Sequence, residues 1–199
     1  MIKKNPNFSK NNLINYLIIL LGGSLCFSVF LSDLIIFTII ILWLYERDFV
    51  DKWRKIKESK FSISIIGFMI FYIFGLAWGE MNYDAWKWIS KQSLLLTIPV
   101  LLSSSIQPKY IKYSLYTFLL GMFINSITAI GCYLRLWSIS YHHYPDEIVA
   151  IGFLDHFDHS VFLAFSALII IQNLFSQKLN FTNFIIYSIF LLVFLTALF

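Results

Sequence analysis

Charged residues are scarce in this chain of 199 residues. Asp, Glu, Lys and Arg make up 13% of the sequence, whereas about 25% is usual in soluble globular proteins. Hydrophobic residues make up 59%, and the mean hydropathy is +0.75. The chain has too few charged residues to form a polar surface around so many apolar side chains. The composition therefore excludes an ordinary soluble globular domain and indicates an integral membrane protein.

Cysteines are nearly absent, and the usual marks of a linker are missing. The two cysteines, Cys26 and Cys132, lie in apolar stretches. We expect them to act as small buried apolar groups rather than as a disulfide framework. The sequence has no Gly/Ser-rich or Pro-rich linker, no low-complexity tract and no internal repeat. We therefore predict a single transmembrane domain over residues 1–199.

Long apolar stretches make up most of the sequence. A helix needs about 20 residues to cross the hydrocarbon core of a bilayer, and only helices and closed barrels satisfy every backbone polar group in lipid. Because the stretches are continuous rather than alternating, they predict an all-α bundle of about seven transmembrane helices, with flanks 29–33 and 88–93 extending the short second and fourth spans. The predicted spans are residues 13–30, 34–45, 61–78, 94–106, 113–136, 160–175 and 183–199.

The distribution of Lys and Arg predicts the orientation of the helices. With the N-terminus in the cytoplasm, twelve of the fifteen basic residues fall on the cytoplasmic side, as the positive-inside rule requires. Lys87, Lys91 and Arg135 fall outside. The net charge of +4 then needs no nucleic-acid partner, because it suits the anionic headgroups of a lipid bilayer.

The cytoplasmic loop 46–60 has a helical pattern of its own. It contains six basic and four acidic residues, with apolar Phe49, Val50, Trp53 and Ile56 at helical spacing. This pattern predicts an amphipathic helix that lies in the membrane interface. A regulatory binding loop is the alternative interpretation.

Two features inside the spans indicate helix packing. Pro99 interrupts the fourth span, where it removes a backbone hydrogen bond. Asn125, Ser126 and Thr128 lie in the middle of the fifth span, close to Gly121. Small and weakly polar residues in a span are typical of tight contacts and hydrogen bonds between helices. We expect Gly121 to face a neighbouring helix, and a polar cavity is the alternative role for the polar residues.

The segment DHFDHS, at the outer mouth of the sixth span, is the richest in chemical groups. If the segment is helical, its ionisable side chains lie within an arc of about 160° at about 100° per residue, and Ser166 lies deeper on the same face. Three interpretations remain open: a metal site without an HExxH or Cys-pair motif, a polar end of a helix at the interface, or a substrate site. The ionisable residues are Asp155, His156, Asp158 and His159.

A family resemblance rests on three motifs and their order. GLAW at 75–78 closes the third span, WKWISK at 86–91 follows, and LLLTIP at 94–99 opens the fourth. In this order the sequence resembles the N-terminal half of the O-antigen ligase and O-antigen polymerase superfamily, which are polytopic bacterial glycosyltransferases of the inner membrane. The segment DHFDHS is similar to the His-containing stretch that opens a later span. The resemblance covers roughly residues 13–199.

The resemblance implies an activity on the periplasmic side of the inner membrane. Glycan would pass from an undecaprenyl diphosphate carrier to lipid A core or to a growing polysaccharide, without a cofactor. A His or a carboxylate would deprotonate the acceptor hydroxyl. Basic residues would hold the diphosphate. The implied catalytic residues are His159, His156 and Asp155, and the implied substrate-binding residues are Arg135, Lys91 and Lys87, the basic residues predicted to lie outside.

The resemblance also sets an expectation about length. Members of the superfamily are usually longer and carry a large outer loop and further spans, with an Arg and a His that are central to activity. We therefore expect this chain to be a truncated or fragmentary member. The alternatives from other functional classes are a non-catalytic transporter or assembly subunit, in which the His and Asp residues relay protons or bind a cation, and a structural interaction subunit.

Overall fold

A computed structural model describes residues 10–75, 78, 87, 89, 91–137, 152–154, 156–176 and 181–197. Within these ranges the backbone forms helices and turns and no β-strand, which confirms the predicted all-α class. The α-helices with described bounds are α1 (Lys10–Ser24), α2 (Val29–Tyr45), α3 (Phe49–Glu58), α4 (Lys60–Gly75), α5 (Thr97–Ser103), α6 (Pro108–Tyr133), α7 (His156–Ser176) and α8 (Phe181–Thr196).

Helices overlap each of the predicted spans, but several boundaries differ from those expected. The first span was expected to run to residue 30, whereas α1 ends at Ser24 and residues 25–27 form a turn. The sequence Gly22, Gly23, Ser24 explains the early end, because glycine and serine are poor helix formers. Residues 29–33 extend α2 as expected. A 3₁₀ turn at Leu94–Leu96 precedes α5, where Pro99 provides no N–H for the carbonyl group of Leu95.

Helix length distinguishes two of these helices from the others. Within the described residues, Pro108–Tyr133 and Phe157–Phe175 are long and apolar enough to cross a membrane. A third span results if Val29–Tyr45 and Phe49–Glu58, which meet at 118°, are counted as one broken span. The shorter apolar helices are Leu13–Ser24, Lys60–Gly75, Lys91–Ser103 and Phe181–Thr196. These helices fit a chain that associates with a membrane.

The chain folds into two compact units. The first contains the described residues within Met1–Leu17 and Leu34–Tyr110, and the second contains those within Ile18–Asp33 and Ile111–Phe199. The first unit therefore holds α3, α4 and α5, and the second holds α7, α8 and most of α6. The division falls inside α1, α2 and α6. The prediction of a single domain stays a prediction.

A sharp corner between α2 and α3 organises the first unit. Arg47, in the turn, has a φ of 54°, which lies in the left-handed region. Beyond it, Lys52 is buried and forms an ion pair with Glu46 at 3.2 Å. Its ammonium group also contacts the carbonyl oxygen of Trp43 and lies 4.7 Å from the centre of the Trp43 ring. The Trp43 indole donates a hydrogen bond to Ser103 Oγ at 2.9 Å, which ties α2 to α5.

Helix α3 has the amphipathic character that the sequence predicted. Lys52 and Ile56 are buried, whereas Phe49, Val50 and Trp53 are exposed apolar residues. Charged residues cover the remaining side: Asp51 pairs with Lys55 at 3.2 Å and with Arg54. The hydrogen bond from Lys55, assisted by the nearby positive charges, lowers the pKa of the Asp51 carboxyl from its usual value. The helix thus presents one protein-facing, one apolar and one charged side.

The core of the second unit is aromatic and aliphatic. Phe118 contacts Phe162 edge-to-face at 5.7 Å between ring centres, and Phe123 stacks on Phe190 at 4.3 Å. These contacts join α6 to α7 and to α8. The buried residues of this core are Cys26, Phe118, Leu119, Met122, Leu154, Leu163, Ile170 and Phe194. The expectation that Cys26 is a small buried group is therefore confirmed, while Cys132 is half-buried; neither forms a disulfide.

Within the second unit, α6 approaches the end of α1 closely. A Cβ on Gly121 would lie 2.9 Å from Cys26 and 3.4 Å from the carbonyl oxygen of Gly23. The expectation that Gly121 faces a neighbouring helix is thereby confirmed. Two hydroxyls strengthen the contact: Ser114 donates to the carbonyl oxygen of Ile18 and Thr117 to that of Ile19, each at 2.8 Å. Small residues and hydroxyls thus hold these helices together.

Candidate functional site

The polar segment DHFDHS opens α7, so most of it is helical as the sequence analysis supposed. The helix begins at His156, and Asp158 lies in its first turn, where a negative charge is stabilised by the helix dipole. Apolar residues follow from Val161 onward. Asp155 and the side chain of His156, two of the expected catalytic groups, lie outside the described part of the chain. His159 lies within it.

His159 is buried in a polar contact between three segments of the second unit. Its side chain is 3% exposed, and its Nδ1 lies 2.8 Å from Nδ2 of Asn125, which is completely buried in α6. The Oδ1 of Asn125 accepts the backbone N–H of Phe153 at 2.6 Å. A single amide therefore links α6, the segment before α7, and α7 itself.

Gly152 makes this contact possible. A Cβ at this position would overlap the side-chain oxygen Oδ1 of Asn125. It would also lie 2.7 Å from the backbone carbonyl oxygen of the same residue. Real side chains do not tolerate such an approach, so the backbone of residues 152–153 comes close to Asn125 only because residue 152 is glycine. Glycine at this position therefore allows the Phe153 amide to reach Asn125.

The network assigns the hydrogen-bonding roles of the imidazole ring. A backbone N–H can only donate, so the atom of Asn125 that receives Phe153 N–H must be the carbonyl oxygen. The amide nitrogen therefore faces His159 as a donor, and Nδ1 accepts with its lone pair. In a neutral imidazole the proton then resides on Nε2. This geometry favours a donor role for His159, whereas a general base needs a free lone pair.

The other ring nitrogen, Nε2, is buried and has no hydrogen-bond partner in the described part of the chain. A buried donor without an acceptor costs about 1–3 kcal/mol. Ser166, expected on the same face of α7, instead donates to the carbonyl oxygen of Phe162 at 2.8 Å and is satisfied within its own helix. As far as the chain is described, the Nε2–H of His159 is therefore a donor without an acceptor.

Arg135 ends α6 in an unusual conformation. Its φ is 58°, and it occupies the left-handed position of a helix-ending motif in which Leu136 N–H bonds to Gly131 O at 2.9 Å and Arg135 N–H bonds to Cys132 O at 3.0 Å. Glycine is the usual residue there, because other residues pay a steric cost. The Arg135 side chain is exposed. Within the described residues, no hydrogen bond or ion pair joins Arg135 to His159.

The remaining candidates lie in the first unit or outside the described residues. Lys87 and Lys91 are exposed residues of the first unit, and their predicted role in binding diphosphate stays a prediction. Within the described ranges, no three His, Cys, Asp or Glu side chains gather as ligands for a metal ion. Gly152 and Phe153 were not predicted from the sequence, because they carry no chemical signature. Asn125 and His159 were each singled out, but not as a pair.

Comparison with known protein families, with curated proteins and with solved structures finds no match for this chain. The buried contact between Asn125 and His159, together with the sequence around it, is therefore the main indication of function.

Proposed function

We propose that this chain is a multi-pass protein of the bacterial inner membrane that takes part in transferring glycan from an undecaprenyl diphosphate carrier to lipid A core or to a growing polysaccharide. The observation that carries the proposal is the buried pair of Asn125 and His159 at the start of α7. Polar and ionisable groups in a span are costly, and they commonly mark substrate paths. His159 itself belongs to the segment DHFDHS, which resembles a His-containing stretch of the superfamily.

The proposal includes seven spans with the N-terminus in the cytoplasm. The positive-inside count supports this orientation, and the amphipathic character of α3 is consistent with it. Its exposed Val50 and Trp53 suit the lipid side of an interface, whereas Arg54 and Lys55 suit water and anionic headgroups. In this topology α3 lies on the cytoplasmic face, and the start of α7 lies on the periplasmic face, where the carrier presents its glycan.

The proposed reaction is a substitution at the anomeric carbon of the carried sugar. The acceptor hydroxyl oxygen forms a bond to this carbon, and the bond between the carbon and the diphosphate oxygen breaks. Undecaprenyl diphosphate leaves with the electron pair, and a base such as Asp155 or His156 takes the hydroxyl proton. Arg135, Lys91 and Lys87 are the proposed diphosphate ligands, since charged donors bind phosphate oxygens strongly.

Glycan transfer by the full gene product tests this function. We would express Arg135→Ala and His159→Ala variants at equal levels in a strain that lacks its own ligase and polymerase, and follow glycan-capped lipopolysaccharide or polymer on gels. Loss of one donor to the substrate should cost about 2 kcal/mol, or about 30-fold in rate. Ser166→Ala is the matched control, because its buried hydroxyl donates to the carbonyl oxygen of Phe162 within α7. Wild-type ladders from both variants would refute the site, and no product from the unaltered protein would refute the function.

A further inference from the structure

We infer that Asn125 is a positioning residue that holds His159 as the Nε2–H tautomer, and that this N–H donates a hydrogen bond to an oxygen atom of the bound carrier-linked glycan. The tautomer follows from contacts within the protein alone. The identity of the ligand rests on the proposed function. The inference gives His159 the role of a hydrogen-bond donor instead of the general base that the resemblance implied.

The first step is the orientation of the Asn125 amide. Asn side chains are often ambiguous, because the oxygen and the nitrogen have similar shapes. Here the ambiguity is removed by Phe153, whose backbone N–H approaches one end of the amide at 2.6 Å. With the amide reversed, two donors would face each other at that distance. The absence of a Cβ on Gly152 lets the backbone hold this position.

The second step is the state of the imidazole. The amide nitrogen of Asn125 lies 2.8 Å from Nδ1 and has only hydrogens to offer. Nδ1 must therefore carry the lone pair, and the ring proton lies on Nε2. An Asp at position 125 would have the same shape but would accept from both neighbours. Phe153 N–H would still donate to an oxygen atom, whereas His159 would have to carry its proton on Nδ1 in order to donate to the other oxygen.

The third step is the unused donor. His159 is 3% exposed, and its Nε2 has no hydrogen-bond partner among the described residues. Burying an N–H without an acceptor is unfavourable, and within the described residues this N–H has none. An oxygen from a ligand supplies the missing acceptor. Glycan hydroxyls and diphosphate oxygens both meet this requirement, and a preorganised donor stabilises either one where charge develops.

Nitrogen NMR of the histidine rings tests the tautomer directly. The full-length protein would be labelled with ¹⁵N-histidine in lipid nanodiscs, and the His159 signals identified as those lost in His159→Gln. We expect an unprotonated Nδ1 and a protonated Nε2 in the native protein and in the control Ser126→Ala, which alters the next buried side chain of α6. In Asn125→Asp we expect Nδ1 to become protonated. A protonated Nδ1 in the native protein, or the same pattern in Asn125→Asp, overturns the inference whether or not the protein transfers glycan.

Two additions to the same sample identify the oxygen. Undecaprenyl diphosphate supplies the diphosphate without sugar, and undecaprenyl diphosphate-linked glycan supplies both. A shift of the Nε2 signal with the first compound assigns the acceptor to the diphosphate, and a shift with the second alone assigns it to the glycan. In both cases Asn125→Asp should lower transfer about 30-fold. If neither compound moves the signal in a preparation that transfers glycan, the ligand part of the inference is wrong while the function stands.

Discussion

Replacing Gly152 by alanine is the most informative single change, because one methyl group would enter the contact that defines the site. The new Cβ would overlap the side-chain oxygen Oδ1 of Asn125. It would also lie 2.7 Å from the backbone carbonyl oxygen of Asn125 and 3.0 Å from its Cγ. Asn125 is completely buried, and its Oδ1 and Nδ2 bond to Phe153 and His159. The Asn125 amide therefore cannot move away from the new Cβ without losing one of those hydrogen bonds.

The expected loss of stability combines two effects. Overpacking a buried position costs about 1–3 kcal/mol. Moving Asn125 or the backbone away also separates buried hydrogen-bonding groups, and leaving one of them unpaired costs about 1–3 kcal/mol. The effects overlap, because a shift that relieves the clash is the shift that breaks the hydrogen bond. We therefore expect Gly152→Ala to lower the free energy of unfolding by about 3 kcal/mol.

The measurement is the midpoint of thermal unfolding in detergent, with Gly67→Ala as the matched control. Gly67 lies inside α4, and a Cβ there would meet nothing within 4 Å. Alanine favours a helix over glycine by about 1 kcal/mol, so the control should be unchanged or more stable. The same substitution is thus expected to lower stability at Gly152 and to leave it unchanged or raise it at Gly67. Equal midpoints for Gly152→Ala and the native protein would refute the close contact with Asn125.

Three further predictions concern packing, a helix end and orientation. Gly121→Leu should lower the free energy of unfolding by about 1–3 kcal/mol, because its side chain would enter the space of Cys26; unchanged thermal stability would mean that this face points to lipid. Arg135→Gly should raise stability by about 1 kcal/mol by relieving the left-handed conformation, and a fall in the unfolding midpoint would contradict that helix end. A cysteine placed at Ser59 should react with impermeant reagents only from the cytoplasm and one placed at Asp146 only from the periplasm, and reversed labelling would refute the orientation.

The helices were largely predictable because apolar runs persist along the chain. The fifth span, expected at 113–136, corresponds to Pro108–Tyr133. Its start was placed too late because the first turn is polar, and proline is favoured at the first position of a helix. The end of α1 was placed too late for another reason. The apolar run continues beyond the helix, but the helix ends at Ser24, because Gly23 and Ser24 are poor helix formers.

The candidate site was only half predictable. Asn125 and His159 stood out because a polar group in an apolar helix is expensive, but 34 residues separate them in the chain, and nothing local links them. Their pairing is a product of tertiary packing. Gly152 and Phe153 act through a missing side chain and a backbone N–H, so residue chemistry gives no sign of them. The rule that buried polar groups need partners could have suggested that Asn125 and His159 meet.

The hydroxyl contacts between α1 and α6 have a consequence for the order of assembly. Ser114 and Thr117 donate to carbonyl groups 96 and 98 residues earlier, so a ribosome completes α1 well before α6 exists. The carbonyl groups on α1 nevertheless need no donor from α6 in the meantime. The carbonyl groups of Ile18 and Ile19 lie inside α1, where helix formation already supplies them with a donor, and Thr117 also donates to Ser114 O at 2.9 Å within α6. The two helices can therefore form separately and recognise each other afterwards, with the hydroxyls fixing their alignment.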